Sequence, residues 1–225
     1  MKLITLSTGS KGNCYILKST NGKFCILDCG MHLKDITSNG EFSSFTNLDF
    51  VFCSHEHKDH SLSMKDFENS GCEIISYNNA NIEKAFEIGQ WKIKLFHVKH
   101  NCLNYGAIIH DTIEKKTLCY VTDFTEIPKI KNINHWLYEI NYDEFTVDKL
   151  IDTQDISKLH VANNIKYHNS LENAETYFKN LENKPKLIVA CHMSLIGGLK
   201  ENIMRKMKKH CDKIVVAKKN LVVEF

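Results

Sequence analysis

The chain has 225 residues, of which 43% are hydrophobic and 25% charged, enough for a sizeable core and unlike a disordered or fibrous chain. A formal charge of +2 and a pI near 8.0 are too mild to announce a nucleic-acid binder, although a local basic face is what decides that. The opening residues lack a signal-peptide core and no apolar run reaches membrane length, so no membrane partner is expected. Residues 2–6 and 14–18 read as strands joined by the loop Ser7 to Asn13, which is either a plain hairpin connection or a phosphate-cradling nest. After the turn Asn21-Gly22 a third strand, Lys23 to Leu27, ends in Asp28-Cys29-Gly30. An acid at a strand end is ordinary turn chemistry, or it orients a metal-binding His from behind. Residues 33–45 read as a short helix and a loop. The apolar run Leu48 to Cys53 is a buried strand.

That strand delivers Ser54-His55-Glu56-His57-Lys58-Asp59-His60, in which five of seven residues can bind a metal. Residues two apart on a helix point about 200° from each other, so His55 and His57 converge only on a loop leaving the strand. Asp59 is then placed to cap a helix over about 60–68. Imidazole and carboxylate donors suit zinc, manganese or iron better than calcium.

Further along, Gly71 to Ser76 reads as a strand and Ile82 to Phe86 as a short helix. Trp91 to Val98 alternates as a half-buried strand and ends at His97-Val98-Lys99-His100-Asn101. Tyr105 to His110 and Lys116 to Val121 read as an antiparallel pair, the second ending in Thr122-Asp123-Phe124. Another strand lies around Trp136 to Ile140. Asn141 to Asn169 is polar and weakly periodic, expected as helical turns and a mobile cover. Ser170 caps a helix running to Leu181; Pro185 stops it, and the buried strand Lys186 to Ala190 leads to Cys191-His192. Leu199, Ile203, Met207 and Cys211 share a helix face turned to the core. Arg205, Lys206, Lys208 and Lys209 lie mainly elsewhere on that helix, as a solvated face or a nucleic-acid contact. Ile214 to Ala217 and Leu221 to Phe225 are expected to close the chain as a hairpin. Nine cysteines form no CxxC pair, and most lie in apolar runs as small buried hydrophobes. A reducing, cytoplasmic compartment is the expectation.

Ligand-type residues therefore follow strand after strand, at Asp28, His55, His100, Asp123 and His192, and strand ends on one sheet edge are where an α/β architecture gathers a site. The motif His55-x-His57-x-Asp59-His60 is similar to that of the metallo-β-lactamase-fold hydrolases, and the later residues stand in that superfamily's order. The resemblance implies an α/β (αββα) fold: two mixed sheets sandwiched between helices, one domain over residues 1–225, and a dinuclear metal site at one sheet edge. By the same resemblance His55, His57 and His100 hold one metal. Asp59, His60 and His192 hold the second, and Asp123 bridges. Asp28 matches the superfamily's first-strand acid. Closer still, the text resembles the YycJ/WalJ-type branch of exonuclease-like phosphodiesterases at Gly9 to Cys14, His100-Asn101, Thr122-Asp123 and Glu139 to Asp143. A Gly-His-Leu-Ser-Asn segment of that branch aligns with Tyr167 to Leu171 and keeps only His168.

The resemblance implies a metal-dependent phosphodiesterase acting on nucleic acid with two divalent ions, zinc or manganese. Such a pair lowers the pKa of a shared water to about 7, with Asp59 and Asp123 orienting the hydroxide. His168, free of metal and just before a Ser-capped helix, is the candidate proton donor to the leaving oxygen. A cyclic-nucleotide phosphodiesterase, similar to phage anti-Pycsar enzymes, is the alternative, and a thioester or lactone hydrolase ranks lower. The chain is too short for the inserted domain of β-CASP nucleases, and the flavodiiron pattern has Glu where His57 stands. A non-catalytic relative would be expected to have lost ligands, and none is missing. The expected partner is a nucleic-acid or nucleotide substrate, with a homodimer as one option.

Overall fold

A computed structural model of the chain describes residues 1–152, 165–194 and 199–225. Among the described residues, thirteen strands form two sheets. The first has the order β13 (Leu221–Glu224), β1 (Lys2–Ser7), β2 (Cys14–Lys18), β3 (Phe24–Cys29), β4 (Leu48–Cys53) and β5 (Ile74–Ser76). The second runs β12 (Lys213–Val216), β11 (Leu187–Cys191), β10 (His135–Glu139), β9 (Lys116–Val121), β8 (Asn104–Asp111), β7 (Trp91–Val98) and β6 (Phe86–Ile88). Both are mixed: β3, β4 and β5 pair in parallel, as do β9, β10, β11 and β12, and the other neighbours are antiparallel.

Burial explains the layers. Strand β7 alternates, with Trp91, Ile93 and Leu95 buried and Lys92 and Lys94 exposed, whereas β3, β10 and β11 are buried throughout, as strands covered on both faces must be. Tyr15, Leu27, Phe50 and Phe52 of the first sheet meet Trp91, Leu95, Tyr120 and Leu137 of the second in one core. Helices α1 (Leu33–Thr37), α2 (Lys58–Ser61) and α3 (Met64–Asn69) lie on the first-sheet side, where Ile36, Met64 and Phe67 pack over Ile26 and Val51. Beyond α4 (Glu144–Asp152), helices α5 (Leu171–Lys179) and α6 (Leu199–Met207) cover the second sheet. There Leu171, Phe178, Ile203 and Met207 pack over Trp136, Tyr138 and Ile188. This is the αββα sandwich expected from the sequence. No helix among the described residues is long and apolar enough to cross a membrane, and all nine cysteines are free.

Several local expectations are corrected. The last two strands are not a hairpin: β12 pairs with β11 and β13 with β1, so the turn at Lys218–Asn220 carries the chain from one sheet to the other. Residues 82–85 are not helical, and Phe86 begins a strand. Asp59 does not cap: His57 is the N-cap of α2, with no side-chain bond, and a second short helix follows. Part of the polar segment after Asn141 is α4, while 153–164 lies outside the described residues, so the expected mobile cover is not described there. Ser170 does cap α5, accepting from the Asn173 N–H at 3.1 Å. The basic run on α6 is partly spent within the fold. The helix ends at Met207, short of Lys208 and Lys209; Lys206 on α6 pairs with Glu172 at 2.6 Å, and Lys209, past its end, with Glu175 at 3.0 Å, tying this segment to α5.

The parallel runs bring the C-terminal ends of β3, β4, β9, β10 and β11 to one edge. Three residues just past or at those ends are left-handed: Asp28 (φ 56°), Asp123 (φ 53°) and His192 (φ 49°). A non-glycine residue held there costs roughly 1–3 kcal/mol, and such strain gathers at functional sites. Gly30 locks the edge by a different means. Its N–H donates to the Asn13 carbonyl at 2.9 Å and the Asn13 N–H to the Asp59 carbonyl at 2.7 Å, so a Cβ on Gly30 would collide with the Asp59 carbonyl. Gly30→Ala is therefore expected to destabilise the protein by about 1–3 kcal/mol, lowering Tm by roughly 2–4 °C per kcal/mol, and to weaken metal retention. A thermal melt checks this; an unchanged Tm would contradict the packing.

Candidate metal centre

Two groups of donors adjoin at this edge, and a third, Asp123, Glu139, His168 and His192, overlaps the second. In one, single donor atoms of His55, His57, His100 and Cys102 all lie within 4.8 Å of one another. His55 Nε2 is 3.0 Å from His57 Nδ1, and His100 Nε2 is 3.5 Å from the same atom. In the other, Asp59, His60, Asp123 and His192 meet the same criterion. His60 Nε2 is 3.3 Å from Asp59 Oδ2, and His192 Nε2 is 3.9 Å from it. Asp123 faces both groups. Its Oδ2 stands 3.7 Å from His55 Nε2 and 3.9 Å from His100 Nε2. Its Oδ1 stands 3.5 Å from His60 Nε2 and in direct contact with His192 Nδ1. All seven residues expected as ligands are thus brought together.

The outer nitrogens of these rings are held from behind. Asp28, buried, accepts from the Ser54 N–H at 2.8 Å, the Ser54 hydroxyl at 3.0 Å, the Tyr120 hydroxyl at 2.5 Å and His60 Nδ1 at 2.5 Å. With Nδ1 engaged, His60 presents Nε2 to the two carboxylates. Ser54 Oγ lies 3.0 Å from His55 Nδ1, and His100 Nδ1 lies 3.1 Å from the Tyr167 carbonyl, so both rings aim Nε2 inward. The loop Ser7 to Asn13 is no plain connection: the Asn13 amide reaches the Asp59 carbonyl at 3.3 Å and Thr8 Oγ1 accepts from the His192 N–H at 3.0 Å. Fixing ring orientation in this way typically carries 10–100-fold in metal affinity. Asp28→Asn is accordingly expected to weaken zinc retention about 10–100-fold, measured by competition with a chelator, with the strands intact by circular dichroism.

The electrostatics fit a cation. Burial, and then His60 nearby, push the His55 pKa well below its ordinary value; burial brings His100 down to about 4. Both rings are neutral at pH 7, the form that binds metal. Burial opposes charge on His60 as well, but the carboxylates of Asp123 and Asp28 prevail and hold its pKa well above the usual value. Asp123 mirrors this: burial disfavours its charge, yet His192 and His60 keep its pKa well below the carboxylate range. These carboxylates favour positive charge at this point, as imidazolium or as a bound divalent ion. The donors present fit zinc or manganese.

His168 also belongs to this edge. Its Nδ1 is 2.7 Å from Glu139 Oε1, and its ring centroid lies 5.2 Å from His192 and 6.1 Å from His100. Burial alone would lower its pKa; the Glu139 carboxylate more than offsets this and raises it to about 9. Glu139 is wholly buried and also accepts from the Phe124 N–H at 3.1 Å. Two residues of the edge escaped the sequence reading. Glu139 was visible only as part of a resemblance, with no role attached. Cys102 was passed over among nine cysteines, although His100-x-Cys102 repeats the spacing of His55-x-His57 after a strand.

No protein-family model matches this sequence, and no curated protein matches it. Solved structures do resemble the fold. The metallo-β-lactamase fold protein YhfI from Bacillus subtilis superposes with a TM-score of 0.72 at 16% identity, covering 100% of this chain and 99% of its own. Zn(2+)-bound PqqB from Methylobacterium extorquens superposes with a TM-score of 0.70 at 12% identity, covering 100% of both chains. Unliganded yeast PDE1 gives 0.66 at 10% identity, covering 100% of this chain and 99% of that one. Human tRNase Z, short form, gives 0.64 at 13% identity with the same coverage. Identities this low make it a likeness of fold.

Proposed function

From a chain with the metallo-β-lactamase fold and two adjoining donor clusters, we propose a single-domain, metal-dependent phosphodiesterase that cleaves nucleic acid in an exonuclease-like way. The observation that carries this reading is Asp123, whose two oxygens face the two clusters. Two divalent ions, zinc or manganese, held by His55, His57 and His100 and by Asp59, His60 and His192 with Asp123 between, would supply a nucleophile at neutral pH and offset charge on the phosphate. Asp59, half-buried beside His60, orients the attacking water for in-line approach. His168, kept protonated by Glu139, gives its proton to the leaving alkoxide. A held proton donor favours a phosphodiester, whose alkoxide leaves poorly. Lys58, exposed at the start of α2 between His57 and Asp59, adds a cation for a polyanion. The fold is also that of proteins named tRNase Z and PDE1.

The test is a product assay of zinc- and manganese-loaded protein against single-stranded DNA, RNA and cyclic mononucleotides, with metal content measured beforehand. About two ions per chain and metal-dependent cleavage of a polynucleotide are expected. Cleavage of cyclic mononucleotides alone would move the substrate to the small-nucleotide alternative. Turnover of thioesters or lactones with no nucleotide cleaved would overturn the phosphodiester reading, and a protein that retains no metal would overturn the centre itself.

A further inference from the structure

One aromatic side chain at the metal edge is left out of the apolar layers. Tyr167, directly before His168, is half-buried and belongs to none of the three hydrophobic cores among the described residues. Its ring stands edge-to-face with His100, the centroids 6.1 Å apart. The His168 ring is also 6.1 Å from His100, so the phenol and the proposed proton donor both border the first metal position. Over the Tyr167 ring lies no core residue but the exposed Lys166, its Nζ 4.9 Å from the centroid. A surface lysine is displaced at little cost, so this face is open to a ligand. The backbone beneath is fixed: the Tyr167 carbonyl lies 3.1 Å from His100 Nδ1, and the Asn169 carbonyl accepts from the Asn141 N–H at 2.9 Å.

We infer that Tyr167 is a stacking platform for a nucleobase flanking the cleaved phosphodiester, with Lys166 beside it to meet a neighbouring phosphate. An aromatic face accepts any base, because every base has a π-face. The contact therefore supplies affinity and placement without reading sequence. A base must be free of its pairing partner to lie on the ring, so the substrate is a single strand. When a base takes the ring, the ammonium that rests there in its absence is released to the phosphate backbone. This rests on the proposed phosphodiesterase reading and adds what the metal ligands do not choose, a single strand held by a base next to the cleaved bond.

Two substrates and two variants test it. Metal-loaded protein is assayed on a single-stranded oligonucleotide and on the same strand made abasic on both sides of the cleaved linkage. Tyr167→Ala is expected to raise KM for the intact strand about 5–150-fold, the range of base–aromatic stacking, with kcat little changed. Tyr167→Phe keeps the ring and should keep the native KM. The native protein should lose the same factor on the abasic strand, and Tyr167→Ala should lose nothing further there. Metal content should stay unchanged, because His100 is met by the main-chain carbonyl of Tyr167. Independently of turnover, 2-aminopurine placed beside the linkage should be quenched on binding the slow His168→Ala protein, and not when Tyr167→Ala is added. A native KM in Tyr167→Ala, or equal weakening on the intact and abasic strands, would overturn the platform while leaving the phosphodiesterase reading standing. A native protein that cleaves no strand in either form would overturn that reading and this inference together.

Discussion

Asp123→Asn is expected to reduce bound metal from about two ions per chain to one or fewer and to remove phosphodiesterase activity. The carboxylate is shared: Oδ2 stands within 3.9 Å of two imidazole nitrogens of the first cluster, and Oδ1 faces His60 and His192 in the second. An amide carries no charge and offers one acceptor, so it serves at most one cluster. The loss should exceed the roughly 10²–10³-fold that follows removal of one preorganised donor. Folding should survive, because the backbone at Asp123 is held independently: its carbonyl accepts from the Asn104 amide at 2.7 Å, and Asn tolerates the left-handed conformation at least as well as Asp. Metal analysis and activity on the same preparation check this. An active variant with unchanged metal content would mean that Asp123 does not join the two clusters.

His168→Ala is expected to slow nucleotide hydrolysis by about 10²–10⁴-fold, the range of general acid catalysis, with metal content unchanged. The two effects separate because His168 Nδ1 is engaged by Glu139 and the seven residues expected as ligands come together without it. The same variant should lose much less on bis-nitrophenyl phosphate, whose nitrophenolate leaves without a proton. Glu139→Gln should show the same dependence on leaving group, since it removes the negative charge that keeps the ring protonated against burial. Equal losses on both substrates would instead assign His168 to phosphate binding. No loss on either would leave the Glu139–His168 pair a structural contact.

Much of this molecule was legible in the linear text. The β7 strand announced itself by alternation, the buried strands by continuous apolar runs, and α5 by its Ser170 cap, all patterns set within a few residues. The local spacing His55-x-His57-x-Asp59-His60 pointed to a candidate metal loop, because adjacent donors need no distant partner to be recognised. The tertiary structure alone decided the rest. Nothing local separates a terminal hairpin from β12 and β13 pairing in different sheets, since each strand satisfies its backbone only through the edge it joins. Asp59 does not cap α2 because it lies inside that helix, past the N-cap His57, and there its carboxylate faces His60 and the sequence-distant His192. Glu139 beside His168 and Cys102 beside His57 were likewise invisible, because those contacts span 29 and 45 residues. The identities of the donors were written in the sequence. Which of them come together depends on which strand ends the two sheets bring to a common edge.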